Sequence, residues 1–267
     1  MTILVFVLVA AGLALLLAWS VRRHSLTRTG AGVAFCLALG LQILGGFQFL
    51  VPLLAFFLSS TAITRYRKER KETIEKRLHA RTGTRDWVQV VANGGPALLF
   101  ALVHPWVPEP WGIVTVYTVF AACNSDTWAS EIGVFSARPP VSIVRRVVVE
   151  KGLSGGVTPL GTAFALLGAG FVALFYGAMN LDDPRLGFHL AIVTGCGLLG
   201  SLVDSVLGDL VQAKYRSHKS GALTEKPVED GIANEQVAGI AWIDNDVVNF
   251  VSPLVAAGVA ALLVTWG

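Results

Sequence analysis

Long apolar runs recur along the chain, each close to the length of a bilayer crossing, with short polar stretches between them. A membrane-spanning helix takes roughly 20 mostly apolar residues. On that rule the pattern predicts eight spans, at residues 2–21, 29–45, 46–63, 87–107, 111–136, 156–179, 187–212 and 247–266. The second and third runs are short and meet at Gly45-Gly46. A tight hairpin or a re-entrant pair are both open there, and six or seven spans are the alternatives to eight. The expected fold is all-α, a polytopic integral membrane protein. Residues 1–63 form N-terminal transmembrane helices, 64–86 a basic loop or surface helix, and 87–267 a transmembrane core with loops at 138–153 and 213–246.

Loop charge gives the expected orientation. Arg22, Arg23 and Arg28 lie in the first loop, nine Lys/Arg in 64–86, and Arg138, Arg145, Arg146 and Lys151 in 138–153. The 213–246 loop adds Lys214, Arg216, Lys219 and Lys226, whereas the alternate connections hold a single basic residue, Arg185. Basic loops stay in the cytoplasm, so both termini are expected outside and all four basic loops inside, in the cell (inner) membrane. The interleaved charges of Arg65–Arg85 read as a solvated surface helix, with attraction for anionic headgroups as the functional alternative.

Composition narrows the classes. Hydrophobic residues make up 54% of the chain and charged residues 15%, against roughly 25% charged in a soluble domain. The net charge of +3 is small and spread over loops, so no nucleic-acid partner is expected. Cys36, Cys123 and Cys196 each sit in an apolar run without a Cys-x-x-Cys pair, which argues against a structural zinc or a disulfide framework.

Ionisable side chains inside spans cost roughly 2.5–3.5 kcal/mol each and are functional candidates by default. The fifth span carries Asn124-Ser125-Asp126-Thr127-Trp128-Ala129-Ser130-Glu131. Helical spacing puts Asp126 with Ser130 and Thr127 with Glu131 on neighbouring stripes. Such carboxylates and hydroxyls suit Mg²⁺, an oxygen-seeking cation; hydrogen bonding between helices would account for Asn124 and the hydroxyls alone. The seventh span holds Gly197, Gly200, Ser201, Asp204, Ser205, Asp209 and Gln212. Its small residues form a ladder for close helix packing, Asp204 shares that face, and Asp209 is near enough to the end to be solvated. At the eighth span Asp244 or Asp246 can cap the helix, while Asn249 lies one turn beyond Asn245. Asn93-Gly94-Gly95-Pro96 interrupts the fourth span as a kink or a cavity wall. Lys151-Gly152-Leu153-Ser154-Gly155-Gly156-Val157-Thr158 is either an ordinary turn or a glycine cradle for phosphate at a helix start.

With that orientation, motifs from five spans fall on the cytoplasmic side. Asp126 lies twelve residues before Arg138, about 18 Å along a continuous helix, so the site is sunk in the membrane. That depth suits an enzyme acting on a lipid-borne phosphate and equally a transporter or flippase for a lipid phosphate or small anion. A purely structural membrane protein accounts poorly for so many intramembrane acids.

As a set, Asn93-Gly94, Ser125-Asp126-Thr127-x-Ala129-Ser130-Glu131-Ile132-Gly133, Gly155-Gly156-Val157-Thr158-x-x-Gly161, Gly200-Ser201-x-x-Asp204-Ser205 with Gln212, and Asp244-Asn245-x-x-x-Asn249 resemble the transmembrane protein 19 family. The likeness runs from about residue 85 to 255; the first 80 residues share only hydropathy. The family includes plant and cyanobacterial phytyl-phosphate kinase, and its motifs also resemble polyprenol kinases and integral-membrane CTP transferases. The resemblance implies a CTP-dependent or other nucleoside-triphosphate-dependent kinase that phosphorylates an isoprenyl or phytyl monophosphate. It implies catalytic roles for Asp126, Glu131 and Asp204, and a Mg²⁺ cofactor held by Asp126, Glu131, Asp204 and Asp246. It also implies phosphate contacts from Lys151, Gly155, Gly156 and Thr158, with Asn93, Asn124, Thr127, Ser130, Ser205, Asn245 and Asn249 completing the substrate and nucleotide site. The expected partners are the lipid-borne isoprenyl phosphate, the nucleotide and membrane lipids. The 217–231 loop has no cysteine, so no metal cluster is expected there.

Overall fold

A computed structural model describes residues 3–75 and 84–266. Eight long helices follow in chain order: α1 (Ile3–Arg22), α2 (Arg28–Gly45), α3 (Phe47–Glu75), α4 (Trp87–Val103), α5 (Trp111–Gly133), α6 (Pro159–Met179), α7 (Leu186–Leu210) and α8 (Asn245–Trp266). Seven are long and apolar enough to cross a membrane; α5 falls outside that group because its last third is the polar run from Asn124 to Glu131. α5 is nevertheless the hub, packed against α3, α4, α6, α7 and α8. Val114, Val116, Tyr117, Val119, Phe120 and Ala121 are fully buried. The other helices present apolar side chains outward, among them Leu58, Leu99, Leu174 and Leu262.

The Gly45-Gly46 join is a tight turn between two full helices. The Gly46 N–H bonds the Gln42 carbonyl, closing α2, and α3 starts at once. α2 spans 18 residues, about 27 Å at 1.5 Å per residue, close to the roughly 30 Å hydrocarbon core. Both helices are long and apolar enough to cross a membrane, which favours the hairpin over the re-entrant alternative.

Helix starts are set by side chains. The Asp86 carboxylate accepts from the Gln89 N–H at 3.0 Å, and the Gln89 side chain accepts from the Asp86 N–H at 3.2 Å, a reciprocal cap. Thr158 caps α6 through the Gly161 N–H at 3.0 Å, with Pro159 at the first helical position. Of the two acids at α8, Asp244 is the cap, accepting from the Asp246 and Val247 N–H groups at 2.9 and 3.1 Å. Asn93-Gly94-Gly95-Pro96 does not break α4, which runs through it. The small-residue ladder of α7 packs as its spacing predicts: a Cβ at Gly200 would stand 2.4 Å from the Ala122 Cβ.

The basic loops gather at one end of the bundle. Thr27 N–H bonds the Arg85 carbonyl at 2.9 Å and Arg85 N–H bonds the Ser25 carbonyl at 3.0 Å, joining the first two. Ser154 N–H bonds the Glu225 carboxylate at 2.7 Å, joining the other two. At the opposite end the Gln48 side chain bonds Met179 and Asn180. The alternation of loops is therefore present in the fold.

The connections between α5 and α6 and between α7 and α8 carry short β structure that the all-α reading omits. β1 (Val141–Ser142) pairs with β2 (Gly156–Val157). β3 (Lys214–Arg216) lies between β4 (Leu223–Thr224) and β7 (Glu235–Ala238), and β5 (Val228–Glu229) pairs with β6 (Ile232–Ala233), all antiparallel. These strands form a small cap over the end of the bundle where the basic loops meet.

Candidate active site

Beneath the cap lies a cavity of about 980 Å³. Its walls come from α3 and α4 (Thr64, Gln89, Asn93), α5 (Asp126, Thr127, Ser130, Glu131), the glycine loop (Lys151 to Thr158), α7 (Ser201, Asp204, Ser205), the cap (Ser217, Thr224, Glu225, Lys226) and α8 (Asn245, Asn249). Most of the residues singled out in the sequence meet here.

Asp126 and Asp204 stand at the bottom. Both also line a small recess beneath it, together with Asn93, Asn249 and Ser252. The Ser252 hydroxyl donates to Asp204 at 3.4 Å. Among the described residues Asp126 accepts no hydrogen bond, and it lines both the cavity and the recess. Asn93 lines the cavity while its amide donates to the Gln89 carbonyl at 2.8 Å. Thr127 and Ser130 hydroxyls bond their own helix backbone at Cys123 and Thr127. Ser205 does the same at Ser201.

Two residues fall outside the group. Asn124 is fully buried and faces away from the cavity: it accepts from Ser59 at 2.8 Å and donates to the Gly168 carbonyl at 2.8 Å, tying α3, α5 and α6 together. A helix clamp thus replaces the substrate contact. Asp246 is buried in the first turn of α8 and is absent from the cavity lining. Among the described residues no three His, Cys, Asp or Glu side chains cluster as a metal would need, so the four-carboxylate set for Mg²⁺ is not assembled. The two acids at the bottom remain, and Mg²⁺ is commonly held by one or two carboxylates together with substrate phosphates. That chemistry fits Asp126 and Asp204.

The glycine loop owes its path to close packing. Gly155 has φ +93°, and a Cβ there would lie 2.6 Å from the Asp209 Cβ and 2.7 Å from its backbone N. Thr158 is taken up by its cap and a 3.4 Å contact to the Gly133 carbonyl, and Lys151 donates to the Ser136 carbonyl at 2.9 Å. One loop donor does hold an anion: the Ser154 N–H, bonded to the Glu225 carboxylate.

Asp209 is not solvated, as its place in the chain suggested. Its side chain is 1% exposed, paired with Arg145, bonded by the Ser142 hydroxyl at 2.5 Å, and 3.7 Å from Lys214. Burial pulls the Lys214 amine below its ordinary range, with Asp209 opposing that pull. The cluster fastens the 138–153 loop to the end of α7.

Arg85 is the main residue that sequence reading missed. Counted there among solvated charges, it turns inward onto the cavity wall, where Nη2 donates to Ser60 at 3.0 Å. Its guanidinium carbon lies 5.3 Å from the Phe56 ring centroid. Burial lowers its pKa, and the Glu131 carboxylate acts in the other direction. The Asp86-x-x-Gln89 cap was the available signal, since it fixes Arg85 at a helix entrance rather than in a loose charge run. The rest of the predicted surface helix continues α3 as far as Glu75, and 76–83 lie outside the described residues.

Known proteins resemble this chain along most of its length. Protein PGR of Arabidopsis thaliana is 32% identical over 260 residues, covering 89% of this chain and 88% of that protein. The uncharacterized membrane protein MJ0933 of Methanocaldococcus jannaschii is 33% identical over 169 residues, 63% of this chain and 67% of its own. The uncharacterized membrane protein sll0875 of Synechocystis is 27% identical over 241 residues, 88% of this chain and 81% of its own. No solved structure matches. Residues 11–257 match the family described as integral membrane protein DUF92, in keeping with the transmembrane protein 19 resemblance, and the chain belongs to that family.

Proposed function

We propose that this membrane protein is a phosphotransferase that moves the terminal phosphoryl group of a nucleoside triphosphate, CTP by family resemblance, onto an isoprenyl or phytyl monophosphate. The observation that carries the reading is the pairing of Asp126 and Asp204 in one cavity, opposite a glycine loop whose Ser154 N–H already binds a carboxylate. Phosphoryl transfer depends mostly on positioning and on neutralising charge. An oxygen of the acceptor monophosphate forms the new P–O bond, the bond to the bridging oxygen of the donor breaks, and the nucleoside diphosphate leaves with that electron pair. The attacking oxygen is already anionic, so no general base is required. Mg²⁺, held by Asp126 and Asp204, would screen the phosphate charges; the loop orients the donor. The excess of Lys and Arg in the four loops supports a cytoplasmic orientation of this face, in the cell (inner) membrane.

Transport of a lipid phosphate or small anion is the competing reading. Against it stands the fully buried stretch of α5 from Val114 to Ala121, which fills the bundle beyond Asp126. The test is purified full-length protein with phytyl or geranylgeranyl monophosphate, Mg²⁺ and CTP, ATP or GTP. Prenyl diphosphate is expected as product. Absence of turnover with every nucleotide, together with anion uptake in proteoliposomes, would overturn the reading in favour of transport.

A further inference from the structure

Among the described residues, the Arg85 guanidinium has no ion-pair partner. Its backbone is clasped between Ser25 and Thr27 of the first loop, which fixes where the side chain begins. Of its five N–H donors, Nη2 makes the one side-chain hydrogen bond found among the described residues, to neutral Ser60. The Glu131 carboxylate, on the wall of the same cavity, acts on its charge. A charge taken out of water is costly unless paired, and a planar guanidinium matches phosphate oxygens two at a time. Thr64, Gln89 and Asn93 on the cavity wall are polar and uncharged.

Position decides which anion. The Arg85 end of the cavity is walled by α3, α4 and α5, and α3 and α4 turn Leu58, Tyr66, Trp87 and Val91 outward. The glycine loop and the cap supply other walls, through Ser217, Thr224 and Lys226. A phosphate tethered to a hydrophobic tail arrives from the bilayer side, and a free nucleotide arrives from the side of the cap.

On the phosphotransferase reading, we propose that Arg85 binds the monophosphate of the lipid-borne acceptor, at a subsite between α3 and α4 distinct from the nucleotide subsite under the cap. The test measures binding of geranylgeranyl monophosphate, geranylgeraniol and CTP separately to purified full-length wild type, Arg85→Gln and Arg85→Lys. Charge-assisted hydrogen bonds of about 1.5–3 kcal/mol correspond to roughly 10- to 150-fold in affinity. Arg85→Gln is expected to weaken the monophosphate by that factor and Arg85→Lys by less, with the alcohol and CTP unchanged. Arg85→Lys keeps the charge near Phe56, and the melting temperature of each variant separates lost folding from lost binding. Monophosphate binding at the wild-type level in Arg85→Gln overturns the proposal, as does an equal loss of CTP. Wild-type binding of the monophosphate without turnover would overturn the phosphotransferase reading and leave the subsite standing; wild type that binds no monophosphate overturns both.

Discussion

Replacing Gly155 by alanine tests how the glycine loop is held. Gly155 has a left-handed backbone with φ +93°, and its new methyl would stand 2.6 Å from the Asp209 Cβ, 2.7 Å from the Asp209 Cα and 2.7 Å from its backbone N. The left-handed conformation costs an alanine about 1–2 kcal/mol. Because two of the three close atoms belong to the α7 backbone, no side-chain rotation relieves them, and overpacking of this kind costs roughly 1–3 kcal/mol. The sum is about 2–5 kcal/mol, or roughly 4–20 °C in melting temperature at 2–4 °C per kcal/mol. Gly187→Ala is the control, because it lies in α7 with nothing within 4 Å of its Cβ. Thermal unfolding in detergent should show Gly155→Ala melting well below wild type and Gly187→Ala at or slightly above it. Because the loop must lift from Asp209, Gly155→Ala should also lose turnover below its melting range. A Gly155→Ala protein that melts within about 1 °C of wild type would refute the seating of the loop on α7 and the argument built on it.

Glu225→Gln removes a negative charge from the Ser154 N–H, where a nucleotide phosphate oxygen is proposed to bind. The difference between charged and neutral hydrogen bonds is about 1 kcal/mol, so the nucleotide KM should fall about fivefold; an unchanged or higher KM would show that Glu225 is not in the phosphate's place. Asp183 links Tyr176 and His189, each at 2.6 Å, at the opposite end of the bundle. Burial pushes its pKa up, but the hydrogen bonds from Tyr176, His189 and the Arg185 N–H outweigh this and hold it below the ordinary carboxylate value. The stability it contributes is therefore present above about pH 4, its unfolded range, and is lost as pH falls through the lower folded value. Asp183→Asn should lower the melting temperature at pH 7, and the gap to wild type should close in acid; a gap independent of pH would contradict the assignment.

What the sequence disclosed followed from strong periodic signals. The span pattern, the loop alternation and the meeting of Asn93, Asp126, Asp204, Asn249 and the glycine loop all follow from hydropathy and helical spacing, which act over whole helices. Features set by a few local contacts were harder to read. Asn124 and Asp126 differ by two positions, so they point to different faces of α5; only the helices packed around it show that one face meets α6 and the other the cavity. Arg85 was masked by the charges before it. The cap was partly legible: Asp230-Gly231, both at positive φ, separates Val228–Glu229 from Ile232–Ala233, and Asp-Gly between short apolar strands is a strong hairpin signal. Asp209 was misread because a single-chain view places it near a helix end, and its partners Ser142 and Arg145 come from a loop more than 60 residues away.

The most direct test of the account is transfer of label from the γ-phosphate of CTP to phytyl monophosphate by purified wild type, Asp126→Asn and Asp204→Asn, with and without Mg²⁺. The account predicts labelled diphosphate from wild type only when Mg²⁺ is present, and a loss of about 100-fold or more in each variant at an unchanged melting temperature. Wild-type rates in either folded variant would contradict the claim that these two acids form the reaction centre.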